Sequence, residues 1–267
     1  MGRTVVVTGA SSGVGLAAAE RFAAQGDQVV VVGRTEERLD AAVERVRAAG
    51  GGREPGRFRA DFERLAEVRD LAGYLADTYP AIDVLASNAG GMIGGYRRTV
   101  DGYEATVQGN HLAPFLLTGL LRDRLKRVVS TASRVHTQGR PDPDDFTGDP
   151  GAYRWGRAYG AAKSANILFA AEAARRWPDV TSVSFHPGVV RTNFGEGPVR
   201  LVYRFAPFLT TPQKAGALLV WLATVPAAEL TNGGYYVGHK LTRPAPHAAD
   251  PAAAARLWDA SAAAVGL

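Results

Sequence analysis

Short apolar runs alternate with amphipathic stretches along most of the chain. Residues 4–8 and 28–32 are rich in valine, whereas residues 13–25 and 36–49 repeat apolar side chains at helical spacing. Continuous apolar strands separated by helices are typical of a parallel sheet that helices cover on both faces. We therefore predict an α/β fold with a doubly wound parallel sheet. Further strands are predicted at 58–60, 84–87, 127–131 and 180–185, and a further helix at 158–176.

Two stretches, 139–157 and 193–212, break this rhythm. The first contains three prolines and no periodicity, and its simplest interpretation is a solvated insertion. The second carries large apolar side chains, including Phe194, Tyr203 and Phe208. An ordinary core-capping element would explain them, but long irregular segments in a compact domain are often functional, so we favour a substrate cover. No repeat or break in composition divides the chain, which predicts one domain, 1–267, with a substrate-covering segment at about 193–212.

Composition and charge narrow the function classes. The 267 residues include no cysteine, which excludes disulfides, thiolate metal sites and catalytic thiols. No apolar run approaches the roughly 18 residues of a membrane span, and no signal peptide is recognisable, so we predict a cytoplasmic protein without membrane contact. The net charge is +5, but the arginines are scattered among acids, which argues against nucleic-acid binding. The five histidines lack metal-ligand spacing, so no metal site is predicted.

The turn after the first strand is rich in glycine. Glycines allow a tight turn and let the backbone approach a pyrophosphate, whose charge then lies at the N-terminus of the following helix. A plain strand-to-helix turn would also explain such a sequence, so the turn alone is weak evidence. The candidate cofactor-binding residues here are Gly9, Ser11, Ser12, Gly13, Val14 and Gly15, within the sequence Thr8-Gly-Ala-Ser-Ser-Gly-Val-Gly15.

The end of the second strand bears on which dinucleotide would bind. An acidic side chain there would bond the ribose 2′-hydroxyl of NAD, whereas this chain has Arg34. A guanidinium can pair with a 2′-phosphate, which favours NADP(H) over NAD(H). Glu36 and Glu37 follow, but the dipole of the next helix explains acids in its first turn, with Thr35 as its predicted N-cap.

A tyrosine and a lysine four residues apart carry the second chemical signal. Tyr159 and Lys163 would lie on one face of the helix predicted at 158–176. An ammonium beside a phenol favours the phenolate, so we expect Lys163 to lower the pKa of Tyr159. A phenol tuned in this way can exchange a proton with an alcohol or carbonyl oxygen.

Together with the glycine turn, this pair makes the chain resemble the short-chain dehydrogenase/reductase family, with its Rossmann fold, over roughly residues 3–267. Asn88-Ala89-Gly90 and Pro187-Gly188 match further motifs of that family. Within it, the chain is similar to the branch of retinol dehydrogenases, the WW-domain oxidoreductase and protochlorophyllide reductase. The stretches that carry this similarity are 108–112, 158–169 and 186–192, together with the long separation of Ser133 from Tyr159.

The resemblance implies a role for each matching residue. Ser133 would bond the substrate oxygen, and Tyr159 would donate or accept the proton. Lys163 would bind the nicotinamide ribose and tune Tyr159, while Asn110 would hold a water that links Lys163 to a proton relay. His136, three residues after Ser133, would either border the substrate pocket or be a structural imidazole. Cofactor contacts are further implied for Asp61, Phe62, Asn88, Ala89, Gly90, Pro187, Gly188, Val190 and Thr192, as well as for Tyr159 and Lys163.

The expected function is therefore an NADP(H)-dependent oxidoreductase that interconverts a carbonyl and an alcohol on a small, fairly apolar molecule. Two alternatives stay open: an NADP-binding sensor or scaffold without chemistry, and an enzyme of the same family that reduces a C=C bond or acts as an epimerase or dehydratase. Members of the wider family often form dimers or tetramers, and the sequence leaves the oligomeric state open, with a homodimer and a homotetramer both compatible with the resemblance. Substrate choice is expected to reside in residues 91–99, 139–157 and 193–212.

Overall fold

The apolar runs of the chain form one sheet. The computed structural model describes residues 2–190 and 209–267. The described strands are β1 (Thr4–Thr8), β2 (Gln28–Gly33), β3 (Gly56–Arg59), β4 (Val84–Ser87), β5 (Arg127–Thr131), β6 (Thr181–His186), β7 (Tyr235–Val237) and β8 (Lys240–Leu241). They lie in the order β3-β2-β1-β4-β5-β6-β7-β8, parallel from β3 through β7, with β8 antiparallel to β7.

Helices cover both faces of this sheet. The described helices are α1 (Gly13–Ala24), α2 (Glu36–Ala49), α3 (Leu65–Thr78), α4 (Ala105–Val107), a π-helical turn (Gln108–Leu112), α5 (Ala113–Leu120), α6 (Trp155–Arg176), α7 (Pro212–Thr224) and α8 (Pro251–Val265). On one face, Val6 of β1 packs in a core with α3, α5, α6 and α8, and on the other, Val5 and Val7 pack with α1, α2 and α7. These valines are fully buried because each face of the strand lies against a helical layer.

The doubly wound α/β prediction is confirmed; the predicted bounds of β2 and β6 are off by one residue, and two larger differences concern the edges of the sheet. β3 begins at Gly56 and ends at Arg59, earlier than predicted. Only Phe58 in this edge strand is a large apolar residue, and the arginines beside it are exposed, so the apolar pattern marks the strand poorly. The short β7 and β8 were not predicted, because two or three residues carry too little periodicity.

The irregular stretch 139–157 is more than a solvated insertion. Phe146 is 8% exposed and packs in the core. The hydroxyl of Tyr153 donates to the Ile93 carbonyl at 3.0 Å, and that of Tyr96 donates to the Thr147 carbonyl at 3.0 Å. These bonds hold the stretch against residues 93–106. Of the predicted substrate cover, residues 193–208 lie outside the described residues. Within the described ranges, no helix has the length and apolar character needed to cross a bilayer.

Candidate active site and cofactor cleft

The glycine turn is shaped by close backbone contacts. Gly9 and Gly13 have φ of 65° and 56°, in the left-handed region that favours glycine. At Gly15, a Cβ atom would lie 2.4 Å from the Gly9 carbonyl oxygen, so any larger residue would push the turn apart. The turn therefore needs glycine at these positions, as the sequence pattern suggested.

Asn88 ties this turn to the neighbouring strands. Its amide Nδ2 donates to the Thr8 carbonyl at 3.1 Å, and its Oδ1 accepts from the Thr131 hydroxyl at 3.3 Å. The Thr8 hydroxyl in turn accepts from the backbone N–H groups of Asn88 and Ala89, both at 3.0 Å. The side chain of Asn88 is thus occupied in joining β1, β4 and β5, which positions the turn rather than reaching outward.

The N-terminus of α1 suits an anionic ligand. Ser12 is the N-cap residue, in an extended conformation, and its side chain makes no capping hydrogen bond. The amide groups of the first turn are therefore not capped by that hydroxyl, and the helix dipole favours negative charge in front of them. Ser11 lies beside the end of β2, where its Oγ would be 3.2 Å from a Cβ atom at Gly33. The cradle thus fits a dinucleotide phosphate.

Arg34 follows β2 directly and is 63% exposed at the mouth of this cradle. Its guanidinium lies 3.4 Å from Glu63, which also pairs with Arg97. Glu63 is a site residue that the sequence reasoning missed, since nothing local indicates that it faces Arg34. Thr35 occupies the N-cap position of α2, as predicted, but its side chain makes no capping hydrogen bond.

Asp61 and Phe62 follow β3 at the same edge of the sheet. The Asp61 carboxylate accepts from the backbone N–H of Glu63 at 3.1 Å, which orders the turn. Phe62 is 8% exposed, and its side chain packs in the core. A cofactor contact at Phe62 would therefore come from its backbone rather than from its ring.

Lys163 is held at the base of the cleft. It is 2% exposed, and its Nζ donates to the Thr131 carbonyl at 3.2 Å, while the amide of Asn166 donates to the same oxygen at 3.0 Å. Nζ also lies 5.3 Å from the centroid of the Tyr159 ring. The helix therefore brings Tyr159 and Lys163 together, as their spacing predicted.

Asn110 reaches the same place from the π-helical turn. Its Nδ2 donates to the carbonyls of Gly91 and Thr106, at 2.9 and 2.8 Å. Its Oδ1 is buried and has no hydrogen-bond partner among the described residues. A Cβ atom at Gly90 would lie 2.3 Å from this oxygen and 3.5 Å from Lys163 Nζ. Asn110, Gly90 and Lys163 therefore converge, and Oδ1 has room only for a small donor.

Ser133 is brought to Tyr159 by two glycines that let backbones touch. Ser133 precedes the 3₁₀ helix Arg134–Gln138, and its Oγ accepts from the Val135 N–H at 3.4 Å. In α6, a Cβ atom at Gly160 would lie 2.6 Å from the Val135 carbonyl oxygen. At Gly139, a Cβ atom would lie 2.2 Å from the Arg157 carbonyl oxygen. The segment that carries Ser133 thus packs directly on the turn of α6 that carries Tyr159.

Burial sets the protonation of the Tyr159–Lys163 pair in a direction that the sequence did not predict. It raises the pKa of Tyr159 above the usual range of a phenol and lowers the pKa of Lys163 to about 7. The expected lowering of the Tyr159 pKa by Lys163 is therefore wrong for this structure. Both charged forms lose solvation in the same buried space, and a lysine with a pKa near 7 is only partly charged at neutral pH.

His136 supports Ser133 from behind. Its Nδ1 donates to the Ser133 carbonyl at 2.7 Å, because a carbonyl can only accept. Its Nε2 accepts from the backbone N–H of Ala245 at 3.0 Å. These two bonds require the neutral imidazole, and burial lowers the pKa of His136 in the same direction. The imidazole joins the Ser133 turn to a segment more than 100 residues later.

The loop after β6 completes the rim of the cleft. Gly188 has φ of 93°, and a Cβ atom there would lie 2.3 Å from the Thr210 hydroxyl. The Thr210 N–H donates to the Val189 carbonyl at 2.9 Å, and Val190 forms a parallel bridge with Thr210. Pro187, Gly188 and Val190 thus stand at the carboxyl end of β6, while Thr192 lies outside the described residues.

Comparison with known proteins decides the family. A model of the short chain dehydrogenase family matches residues 3–198. The chain is a short-chain dehydrogenase. A protein of Streptomyces sp. (strain C5) named as a candidate daunorubicin C-13 ketoreductase, DnrU, is 55% identical over 268 residues, a match that covers 99% of this chain and 93% of that one. Human retinol dehydrogenase 13 is 33% identical over 287 residues, which covers 100% of this chain and 85% of that one.

Solved structures of other short-chain dehydrogenases and related proteins share the fold. A protein of Mycobacterium paratuberculosis without an assigned function is similar with a TM-score of 0.81 and 29% identity, over 99% of this chain and 93% of that one. A short chain dehydrogenase of Burkholderia cenocepacia in complex with NADP has a TM-score of 0.71 and 27% identity, over 89% and 96%. The retinol dehydrogenase-like resemblance is confirmed, and this short-chain dehydrogenase is an oxidoreductase of alcohol and carbonyl groups.

Proposed function

We propose that the protein is an NADPH-dependent reductase of a ketone or aldehyde on a fairly apolar small molecule. The observation that carries this proposal is the convergence of Lys163, the Tyr159 turn of α6 and the Ser133 segment beside the glycine cradle. Bound NADPH would supply the hydride that adds to the carbonyl carbon. Ser133 orients the carbonyl oxygen, and the Tyr159 hydroxyl donates the proton that completes the alcohol.

The raised pKa of Tyr159 fits a role as proton donor in the direction of reduction, since the phenol keeps its proton at neutral pH. Lys163 holds its place through the Thr131 carbonyl, so its amino group, partly protonated at neutral pH, remains close to the phenol when the proton leaves. Asn110 Oδ1 could accept from a water in this relay. The roles of Asn110, Ser133, Tyr159 and Lys163 are those that the family resemblance predicted.

Two exposed apolar side chains favour an apolar substrate. Trp155 is 53% exposed and lies one helical turn before Tyr159, on the same face of α6. Val189, in the loop after β6, is 51% exposed. Large exposed apolar groups beside a reactive centre suit an apolar ligand surface. Because a relative is named for a daunorubicin ketone and others for retinol, daunorubicin and retinal are the first two substrates to test.

The preference for NADPH rests on Arg34. We infer that Arg34 and Ser11 bind the 2′-phosphate. The Arg34 guanidinium either keeps its ion pair with Glu63 while it binds the phosphate or breaks that pair. NADPH and NADH titrations of the wild type and Arg34→Asp test this. Wild type should prefer NADPH, and the variant should lose or invert that preference. Equal or tighter NADH binding by the wild type would contradict the assignment.

Turnover tests the reaction itself. NADPH oxidation should depend on daunorubicin or retinal in the wild type, should be nearly abolished in Tyr159→Phe, and should persist in the control Tyr74→Phe, which changes a tyrosine on α3. NADPH binding should survive in all three proteins. Cofactor binding without any carbonyl-dependent turnover across a broad panel would favour the sensor or scaffold alternative. Reduction of a conjugated C=C bond would favour the other enzyme class. A cytoplasmic location and a homodimer or homotetramer remain predictions.

A further inference from the structure

A concave groove lies behind Ser133, on the face of the sheet that α6 covers. Its floor is one face of the β7–β8 hairpin, where alternate residues of the two strands point the same way. Its walls come from the 3₁₀ helix after Ser133 and from residues 242–245. The volume is about 720 Å³, within the range of small-molecule sites. The lining side chains include Arg134, His136, Tyr235, Val237, Lys240 and Arg243, and we name this site the Arg134–Arg243 groove.

Three cationic side chains converge on this groove without an acidic counterpart. Arg134, Lys240 and Arg243 are exposed, and none of them forms an ion pair with a carboxylate in the part of the chain that the structure describes. The described residues that line the groove include no aspartate or glutamate. Arginines elsewhere, such as Arg3 and Arg256, do pair with acids. Among the described residues, the groove therefore holds positive charge that no carboxylate compensates, in a concave place that focuses the local field.

A buried hydroxyl in the same groove also needs a partner. Tyr235 is 3% exposed, and its Oη is buried with no hydrogen-bond partner among the described residues. The ring is fixed edge-on against His136, with centroids 5.2 Å apart. Burial raises the pKa of Tyr235 to about 12, and the positive charge of Arg134 opposes that rise. The phenol is thus a neutral donor that stands near the Arg134 guanidinium and has no acceptor in the described part of the chain.

His136 lines the groove but adds no positive charge to it. Its two nitrogens are used by the Ser133 carbonyl and the Ala245 N–H, so it stays neutral. The hydroxyls of Thr137 and Thr242 also line the groove, but they already donate to the Arg134 and Lys240 carbonyls. The side-chain donors left for a ligand are therefore two guanidinium groups, one ammonium and one phenol. Acceptor-only oxygens with negative charge, as in a carboxylate or a phosphate, match such a set, and arginine can bind them through two parallel bonds.

We propose that the Arg134–Arg243 groove binds the carboxylate or phosphate group of an acidic small molecule. Arg134 and Arg243 grip the anionic oxygens, Lys240 adds charge, and the Tyr235 hydroxyl donates to one oxygen, while Val237 contacts the apolar part of the ligand. The groove adjoins Ser133 through Arg134 and His136. The anion is either part of the substrate or a separate ligand that acts on the adjacent active site.

Isothermal titration calorimetry of the protein tests this proposal. The protein is first saturated with NADP⁺, so that the probes cannot bind at the predicted phosphate site of the cofactor. The probes are inorganic phosphate and benzoate. We expect saturable binding by the wild type, weakened about tenfold in Arg243→Gln and measurably in Tyr235→Phe, which removes only the hydroxyl. The control Arg21→Gln removes the same charge from the exposed face of α1, on the other side of the sheet, and should bind as the wild type does.

The proposal would be overturned if the folded wild type bound neither probe. It would also be overturned if Arg21→Gln weakened binding as much as Arg243→Gln does, because that would indicate attraction to net charge alone. Thermal unfolding checks that each variant folds. The readout is binding, so it does not depend on turnover, and a failure of the proposed reductase activity would be recognised separately.

Steady-state kinetics distinguish the two sources of the anion. If it belongs to the substrate, Arg243→Gln should raise the KM for 4-acetylbenzoate and leave that for its methyl ester unchanged. If it is a separate ligand, benzoate should alter turnover of the ester in the wild type and not in Arg243→Gln. Both outcomes support the groove as an anion site.

Discussion

The contact between Gly160 and the Ser133 segment provides a sharp test of how this fold assembles its active site. A Cβ atom at Gly160 would lie 2.6 Å from the Val135 carbonyl oxygen, 3.0 Å from the Gly139 nitrogen and 3.3 Å from the Gln138 carbonyl carbon. All three atoms belong to the backbone, so no side chain can rotate away. In Gly160→Ala, either α6 or the 3₁₀ helix must therefore move.

The size of this movement follows from ordinary contact distances. Non-bonded atoms reach their best separation at about 3.5 Å, so the two segments must separate by roughly 1 Å. Overpacking of this kind costs about 1–3 kcal/mol of unfolding free energy, against a helix-propensity gain of at most about 1 kcal/mol. A shift of about 1 Å between Ser133 and Tyr159 is enough to lower kcat about 100-fold.

Gly156 supplies the matched control in the same helix. A Cβ atom there would lie no closer than 3.9 Å to its nearest neighbour, the Oε1 atom of Gln138, a flexible side chain. Gly156→Ala should therefore keep the wild-type kcat and be as stable as the wild type or slightly more so. Chemical denaturation and steady-state NADPH oxidation measure both quantities. If Gly160→Ala matched Gly156→Ala in stability and kcat, the close backbone contact would not be what positions Ser133.

Two further predictions concern groups whose surroundings fix their protonation. His136→Leu should lower the unfolding free energy by about 1–3 kcal/mol, because the Ser133 carbonyl and the Ala245 N–H both lose a partner. His239 has a ring contact with Trp221 and no such side-chain hydrogen bonds to the described residues, so His239→Leu should cost less in the same denaturation assay. Equal losses would contradict the bridging role of His136. Burial lowers the pKa of Lys163 from 10.5 to about 7, so between these pH values the unfolded chain binds the proton that the folded chain has lost, and folding becomes more favourable as pH rises. The unfolding free energy of the wild type minus that of Lys163→Met should therefore be larger at pH 9 than at pH 7 and nearly constant below about pH 6, where Lys163 is protonated in both states. An unchanged difference between pH 7 and pH 9 would refute the pKa direction.

Much of the framework could be predicted from local sequence alone. The predicted bounds of β1, β4 and β5 match the structure, because these central strands are apolar on both faces and their pattern leaves few alternatives. The glycine turn could be predicted equally well. Positive φ angles require glycine at Gly9 and Gly13, a close backbone contact requires it at Gly15, and residues near in sequence determine both. The spacing of Tyr159 and Lys163 sufficed to place them together, because both belong to one helix.

What the sequence by itself determined is therefore the local part: strand and helix positions, the turn at the cofactor cradle, and the pairing of residues within α6. Only the tertiary structure decided which distant groups meet. The bond between His136 and Ala245, the contact of Glu63 with Arg34, and the cluster of cations in the Arg134–Arg243 groove each join segments that no sequence period relates. The tertiary structure also decided the direction of the Tyr159 and Lys163 pKa shifts. Burial depends on everything packed around a group and not only on its neighbours in the chain.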